Sequence, residues 1–154
     1  MSEYGELVKA KCDAFADRVV KLNDYLLDQA CKKSEVGGLR SEVRGRKFEG
    51  RVPVYLQSVA TISNQLLRAG TSIGANNAEA TNAVSKQDFR AKSYIALKEA
   101  RESLYWIDLL HRNGYLEDDQ YKSIYGNCEE LVKILVSRCK KLDAEVGGNT
   151  KSEG

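Results

Sequence analysis

The chain has 154 residues, 24 basic and 22 acidic side chains, one histidine and one proline. This length suits one domain, and 42% hydrophobic with 30% charged residues is typical of a globular protein rather than a disordered one. A single proline and few aromatic residues (8%) disfavour a many-stranded β-sandwich and favour long helices. No apolar run is long enough to span a membrane, and the acidic first six residues do not resemble a signal peptide. The sequence therefore predicts a cytoplasmic protein.

The single histidine excludes most metal and catalytic sites. A zinc site of the HExxH type and a di-iron bundle each require at least two histidines. His111 lies where a helix is predicted to end, and no Gly-x-Ser-x-Gly motif accompanies it, so contact with the last helical carbonyls is favoured over catalysis. Glu99 and Glu102 are neighbours on one helix surface, which is typical of ion pairs with Lys98 and Arg101. The sequence predicts no enzyme, no metal and no other cofactor.

The four cysteines lack the spacing of a metal or redox motif, because no Cys-x-x-Cys pair occurs. Cys128 and Cys139 lie about three helical turns apart, too far to form a disulfide within one helix. With no signal peptide, all four are expected to be reduced, mostly buried apolar side chains: Cys12, Cys31, Cys128 and Cys139.

Two helices are predicted in the first half of the chain. Phe15, Val19, Leu22 and Leu26 keep helical spacing within a first helix from residue 4 to about 31. Pro53 suits the first turn of a second helix that continues to about residue 83. In this helix Gly70, Gly74 and Ala78 recur every four residues. No strand precedes these small residues, so close packing of another helix is favoured over a phosphate-binding loop.

The segment between these helices, at about residues 32–53, is a predicted basic loop. From Lys32 to Arg51 it contains seven basic and three acidic residues, a net charge of +4 against +2 for the whole chain. A loop of this length inside a compact domain is expected to be either functional or disordered.

Two more helices are predicted in the second half. Ser85 and Asp88 resemble a capping box, which starts a third helix at about Lys86 that runs to Arg112. Its apolar arc is widened by Tyr105, Trp106 and Leu109 beyond what packing within one bundle requires. A helix that is apolar on more than one side usually has a second partner, so a homo-oligomer is predicted. A fourth helix covers about 117–144, and residues 147–154 are a predicted disordered tail. The predicted fold is an all-α, antiparallel up-down-up-down four-helix bundle forming one domain over residues 1–146.

Residues 65–80, QLLRAGTSIGANNAEA, together with SKQDF at 85–89, IALKEA at 95–100 and LYWI at 104–107, resemble the four-helix-bundle proteins encoded in 23S rRNA intervening sequences, also called the S23 ribosomal protein family. The resemblance implies a homopentamer. It also implies kinship with the accessory variability determinant of diversity-generating retroelements, which binds nucleic acid and partners a reverse transcriptase. Typical members join the first two helices by a short connection, so about 20 residues near 34–52 are an insertion.

Two functions are compatible with these features. The first is a nucleic-acid-binding oligomer, since lysine and arginine contacts to phosphate give sequence-independent affinity. The alternative is a protein–protein interaction scaffold that makes no contact with nucleic acid, in which case the cations form an ordinary solvated surface. The candidate RNA- or DNA-binding residues are Arg40, Arg44, Arg46, Lys47 and Arg51 in the loop and Arg68, Lys92, Lys98 and Arg101 on helices.

Overall fold

A computed structural model describes residues 2–35 and 54–149. These residues form four helices: α1 (Glu3–Glu35), α2 (Val54–Thr81), α3 (Lys86–Arg112) and α4 (Asp118–Asn149). The described residues contain no strand. Short connections at residues 82–85 and 113–117 join α2 to α3 and α3 to α4. The predicted loop at 32–53 overlaps the end of α1 at residues 32–35, and its other residues lie outside the described ranges.

The helices pack in a ring in which each contacts its neighbours in sequence and α4 returns to contact α1. Cross-helix contacts show that neighbours run antiparallel. Asn23 of α1 donates to Ser63 of α2 at 3.1 Å, whereas Cys12, earlier on α1, lies against Gly74, later on α2. The predicted antiparallel four-helix bundle is therefore confirmed.

One apolar core runs along the inside of the ring, because each helix turns an apolar stripe inward at a period of about 3.6 residues. All four cysteines are free and buried within or beside it, as predicted. Burial raises the pKa of Cys12 to about 11 and that of Cys128 to about 12. The largest fully buried side chains are Val8, Phe15, Val19, Leu56, Val59, Leu66, Ile73, Ile107, Leu110, Leu131 and Leu135.

Helices α1 and α2 approach each other closely at Gly70. A Cβ placed there would lie 2.9 Å and 3.2 Å from the two methyl carbons of Val19. At Gly74 a Cβ would lie 3.9 Å from the Cβ of Cys12, an ordinary contact. Ala78 is exposed, so the predicted close packing does not extend to it within one chain. Each step of four residues rotates a position by about 40° around the helix axis. Ala78, two steps after Gly70, therefore no longer faces α1.

Local signals set the ends of α3. The Ser85 hydroxyl accepts the Asp88 N–H at 3.1 Å, and the Asp88 carboxylate accepts the Val84 N–H at 3.2 Å. Gly114, just after α3, adopts a φ of 71°, a left-handed conformation that suits glycine.

The fourth helix is longer than its pattern predicts. It continues to Asn149 through Gly147 and Gly148, which the sequence assigns to a disordered tail. Each helical glycine costs about 1 kcal/mol relative to alanine but does not break a helix as proline does. Residues 150–154 of the predicted tail lie outside the described part of the chain.

Candidate nucleic-acid interface

The five loop cations predicted to bind nucleic acid lie outside the described residues. They are Arg40, Arg44, Arg46, Lys47 and Arg51. The structure describes the helix that leads into their segment, where Lys32 and Lys33 are exposed in the last turn of α1. The Lys32 ammonium lies 2.6 Å from the Asp28 carboxylate one turn earlier. Cations at this position also complement the negative end of the helix dipole.

The bundle end at which α1 finishes also carries acidic residues. A groove there is lined by Lys33 of α1, Gly114 in the α3–α4 connection and Glu117 just before α4. Asp118 and Asp119 follow in the first turn of α4. This end therefore presents both signs of charge, and any phosphate backbone bound there would have to avoid the acidic turn.

The single histidine, in the last turn of α3, bonds to a residue of this acidic turn. The Nε2 atom of His111 lies 2.8 Å from the Asp118 carboxylate, and its ring stacks on Tyr121 with centroids 4.1 Å apart. The hydrogen bond from His111 lowers the pKa of Asp118. The predicted contact with helical carbonyls is thus replaced by a bond across the α3–α4 connection, because the connection folds Asp118 back toward the end of α3.

Two of the four helix candidates lie on the α2–α3 side of the bundle. Lys92 forms an ion pair with Glu79 across these helices, and the hydrogen bond and charge of Glu79 raise the pKa of Lys92. Arg68 is exposed, and its guanidinium donates to the Gln65 amide oxygen at 3.3 Å. The charge of Lys92 is therefore offset within the bundle, whereas that of Arg68 faces solvent.

The other two candidates are Lys98 and Arg101, both exposed. Neither forms an ion pair with another described residue, so the predicted pairs with Glu99 and Glu102 are not formed. Glu102 instead accepts a hydrogen bond from the Trp106 indole at 3.1 Å. Nine residues separate Arg101 from Lys92, which places them about half a turn apart round α3. The four helix cations consequently do not share one face of a single chain.

The residues predicted to widen the apolar arc of α3 lie on or near its outer side. Tyr105 is 53% exposed and Ile95 is 40% exposed. Trp106 and Leu109 are half-buried, and Tyr105 meets Trp106 edge to face with ring centroids 4.8 Å apart. The outer side of α3 thus combines exposed apolar side chains with the exposed cation Lys98.

The sequence pattern did not single out Arg138, which is a buried arginine of α4. Only 8% of it is exposed, and it donates to the Asn77 amide oxygen at 2.8 Å. A signal was available, because Leu131, Leu135, Arg138 and Leu142 keep the spacing i, i+4, i+7 and i+11. A charged residue at a position of the apolar stripe indicates a buried charge that needs a specific polar partner.

The described ranges contain neither a metal-binding cluster nor a membrane-spanning helix. No three histidine, cysteine, aspartate or glutamate side chains in residues 2–35 and 54–149 come together to hold a metal ion. None of the four helices is long and apolar enough to cross a bilayer over its described length.

Comparison with known proteins identifies relatives of the chain. A family model described as 23S rRNA-intervening sequence protein matches residues 55–137. A crystal structure of a protein with unknown function from the S23 ribosomal protein family of Bacteroides thetaiotaomicron is 36% identical, with a TM-score of 0.69. The match covers 89% of this chain and 98% of that one. No curated protein matches the chain.

Proposed function

Because the chain belongs to the 23S rRNA-intervening sequence protein family, we propose that it is a non-enzymatic, nucleic-acid-binding oligomer acting in the cytoplasm. Its proposed role is that of an accessory factor to an rRNA-linked element or to a reverse transcriptase. The observation that carries the proposal is the concentration of cations between α1 and α2. The segment from Lys32 to Arg51 has a net charge of +4, whereas the whole chain has +2.

Exposed helix cations support the same proposal. Arg68, Lys98 and Arg101 are exposed, and none of them forms an ion pair with a described residue. Lysine and arginine that are free of protein carboxylates can neutralise phosphates and release counterions, which is the main source of non-specific affinity. Lys98 and Arg101 are neighbours on one face of α3, whereas Arg68 lies on α2, so an assembly of several chains would repeat both groups of charge.

Self-association is the second part of the proposal. The outer side of α3 leaves Ile95 and Tyr105 substantially exposed, and a second chain could cover them. The family resemblance favours a homopentamer, in which five copies of a +4 segment carry +20. Repetition of a modest charge in one assembly would strengthen its attraction to RNA or DNA. Mass measurement of the intact assembly determines the number of chains.

The nucleic-acid proposal is tested by titrating labelled RNA and DNA at two salt concentrations. We expect binding at low salt that weakens as salt rises, and strong loss when Arg40, Arg44, Arg46, Lys47 and Arg51 are all replaced by glutamine. A matched variant removes the same charge from exposed helix positions by replacing Lys9, Lys21, Lys122, Lys133 and Lys140 with glutamine. Equal loss in both variants, or no binding at low salt, would refute the proposal.

An interaction scaffold without nucleic-acid contact is the second candidate, and the exposed apolar side of α3 favours it. In that case the partner is a protein, and charge removal has no effect on its capture. Replacing Ile95 and Tyr105 with serine should abolish capture of a protein partner from the native host. A pull-down that recovers nucleic acid alone, unchanged by these replacements, would contradict the scaffold.

A further inference from the structure

The bundle end opposite the α3–α4 connection contains a cavity of about 410 Å³. The first turn of α1 and the last turns of α4 form two of its walls, and the facing ends of α2 and α3 complete it. Its volume lies in the range of small-molecule sites, which is about 300–1,000 Å³. Residues of the lining that bear on its chemistry are Tyr4, Asn77, Phe89, Arg138, Lys141 and Glu145.

Arg138 is the unusual residue of this cavity. Its side chain is more than nine-tenths buried, and its Nη1 atom donates to the Asn77 amide oxygen at 2.8 Å. The guanidinium carbon lies 5.6 Å from the centre of the Phe89 ring. No carboxylate within the described ranges forms an ion pair with it. A guanidinium carries five N–H donors, so the bond to Asn77 leaves most of its capacity and all of its charge without an anionic partner.

The two acidic residues that follow Arg138 on α4 are paired with other cations. The Glu145 carboxylate lines the cavity but lies 3.7 Å from the Lys86 ammonium. Asp143, five residues after Arg138 on α4, accepts hydrogen bonds from Arg90 at 2.7 Å and from the Tyr94 hydroxyl at 2.5 Å. A buried cation without a counterion is costly to maintain, since desolvation penalises the charged form.

Two neighbouring groups add to the positive character of the cavity. Ser2 and Gly5 line it at the start of α1, where the positive end of the helix dipole favours anions. Lys141 lies at the cavity on the same side of α4 as Arg138. The acidic residues of the same α1 turn, Glu3 and Glu6, are exposed and do not line it.

The geometry points to a binding site for a small organic oxyanion, a carboxylate or a phosphate monoester, at the end of the bundle. The remaining donors of Arg138 form a planar fork that matches two oxygens of such a group. Phe89 and Leu142 supply an apolar surface for the rest of the molecule. The site is independent of the proposed nucleic-acid surface and uses none of the candidate cations named for it.

The test is calorimetric titration of the full chain with sodium phosphate and with sodium benzoate at constant ionic strength. Benzoate should bind more tightly than phosphate if the apolar wall contributes, and choline chloride should not bind. Arg138→Gln should weaken both anions by about ten- to hundredfold, the equivalent of a charge-assisted hydrogen bond. Lys140→Gln removes the same charge from an exposed neighbouring position and should leave both affinities unchanged.

A second variant keeps the proposal falsifiable if Arg138→Gln does not fold. Asn77→Asp places a carboxylate oxygen where the amide oxygen now lies, 2.8 Å from Nη1, and so supplies the missing counterion within the chain. We expect this variant to fold and to lose anion binding. Anion affinity equal to that of the wild type in Asn77→Asp would overturn the proposal. So would the absence of wild-type binding up to about 10 mM anion, tenfold above a millimolar dissociation constant.

Discussion

Replacing Gly70 with alanine tests whether the close approach of α1 and α2 governs the stability of the bundle. The new Cβ would lie 2.9 Å, 3.2 Å and 3.3 Å from the Cγ2, Cγ1 and Cβ atoms of Val19. Val19 is fully buried in the core, so its methyl groups have little room to move away. The substitution must therefore rotate Val19 or separate the two helices.

Two effects of opposite sign determine the magnitude. Alanine is favoured over glycine by about 1 kcal/mol in a helix interior. Overpacking a filled core costs about 1–3 kcal/mol. We expect a net loss of about 1 kcal/mol in the free energy of unfolding for Gly70→Ala. Gly126 of α4 is the matched control, because a Cβ there meets no atom within 4 Å. Gly126→Ala should gain about 1 kcal/mol, and the two variants should differ by about 2 kcal/mol.

Urea denaturation followed by circular dichroism measures these changes. Gly74→Ala should resemble Gly126→Ala, since its Cβ would make only an ordinary contact at 3.9 Å. Combining Val19→Ala with Gly70→Ala removes both crowded methyl groups, so the double variant should lose less stability than the two single losses combined. If Gly70→Ala is as stable as Gly126→Ala, the inferred steric limit at the α1–α2 seam is wrong.

Three further predictions concern the cap of α3 and the buried thiols. Ser85→Ala removes the acceptor for the Asp88 N–H and should lower the stability by about 1 kcal/mol in thermal unfolding, whereas an unchanged midpoint would exclude a capping role. Raising the pH above the ordinary thiol pKa of 9.0 should destabilise the fold, because the unfolded chain releases protons that folded Cys12 and Cys128 keep up to about pH 11 and 12. The contribution of these thiols to the free energy of unfolding is thus fully present below pH 9 and is lost above it. Urea titrations at pH 8 and pH 10.5 measure the difference. Ellman's reagent should label these two thiols only as fast as the chain opens, and immediate labelling of the native protein would contradict their burial.

Some features of the site could be predicted from the sequence because they depend on neighbouring residues in the chain. The spacing of Phe15 and Val19 identifies the buried face of α1, and Ser85 with Asp88 identifies the start of α3. The same pattern could not show that Lys92 pairs with Glu79 while Lys98 and Arg101 remain without ion pairs among the described residues. Which residues of two helices form a pair depends on how each helix is rotated about its axis and shifted along it relative to the other. The pattern within one helix does not determine either quantity.

The sequence by itself determined four amphipathic helices, their approximate order and direction, and a composition with a single histidine. These properties follow from the 3.6-residue period, short connections and residue counts, all of which are local or compositional. Only the tertiary structure decided that Gly70 meets Val19, that Ala78 leaves the seam, and that Arg138 lies buried beside Asn77 and Phe89. Each of these depends on how four helices pack at once, because packing fixes which stripe positions of different helices face one another.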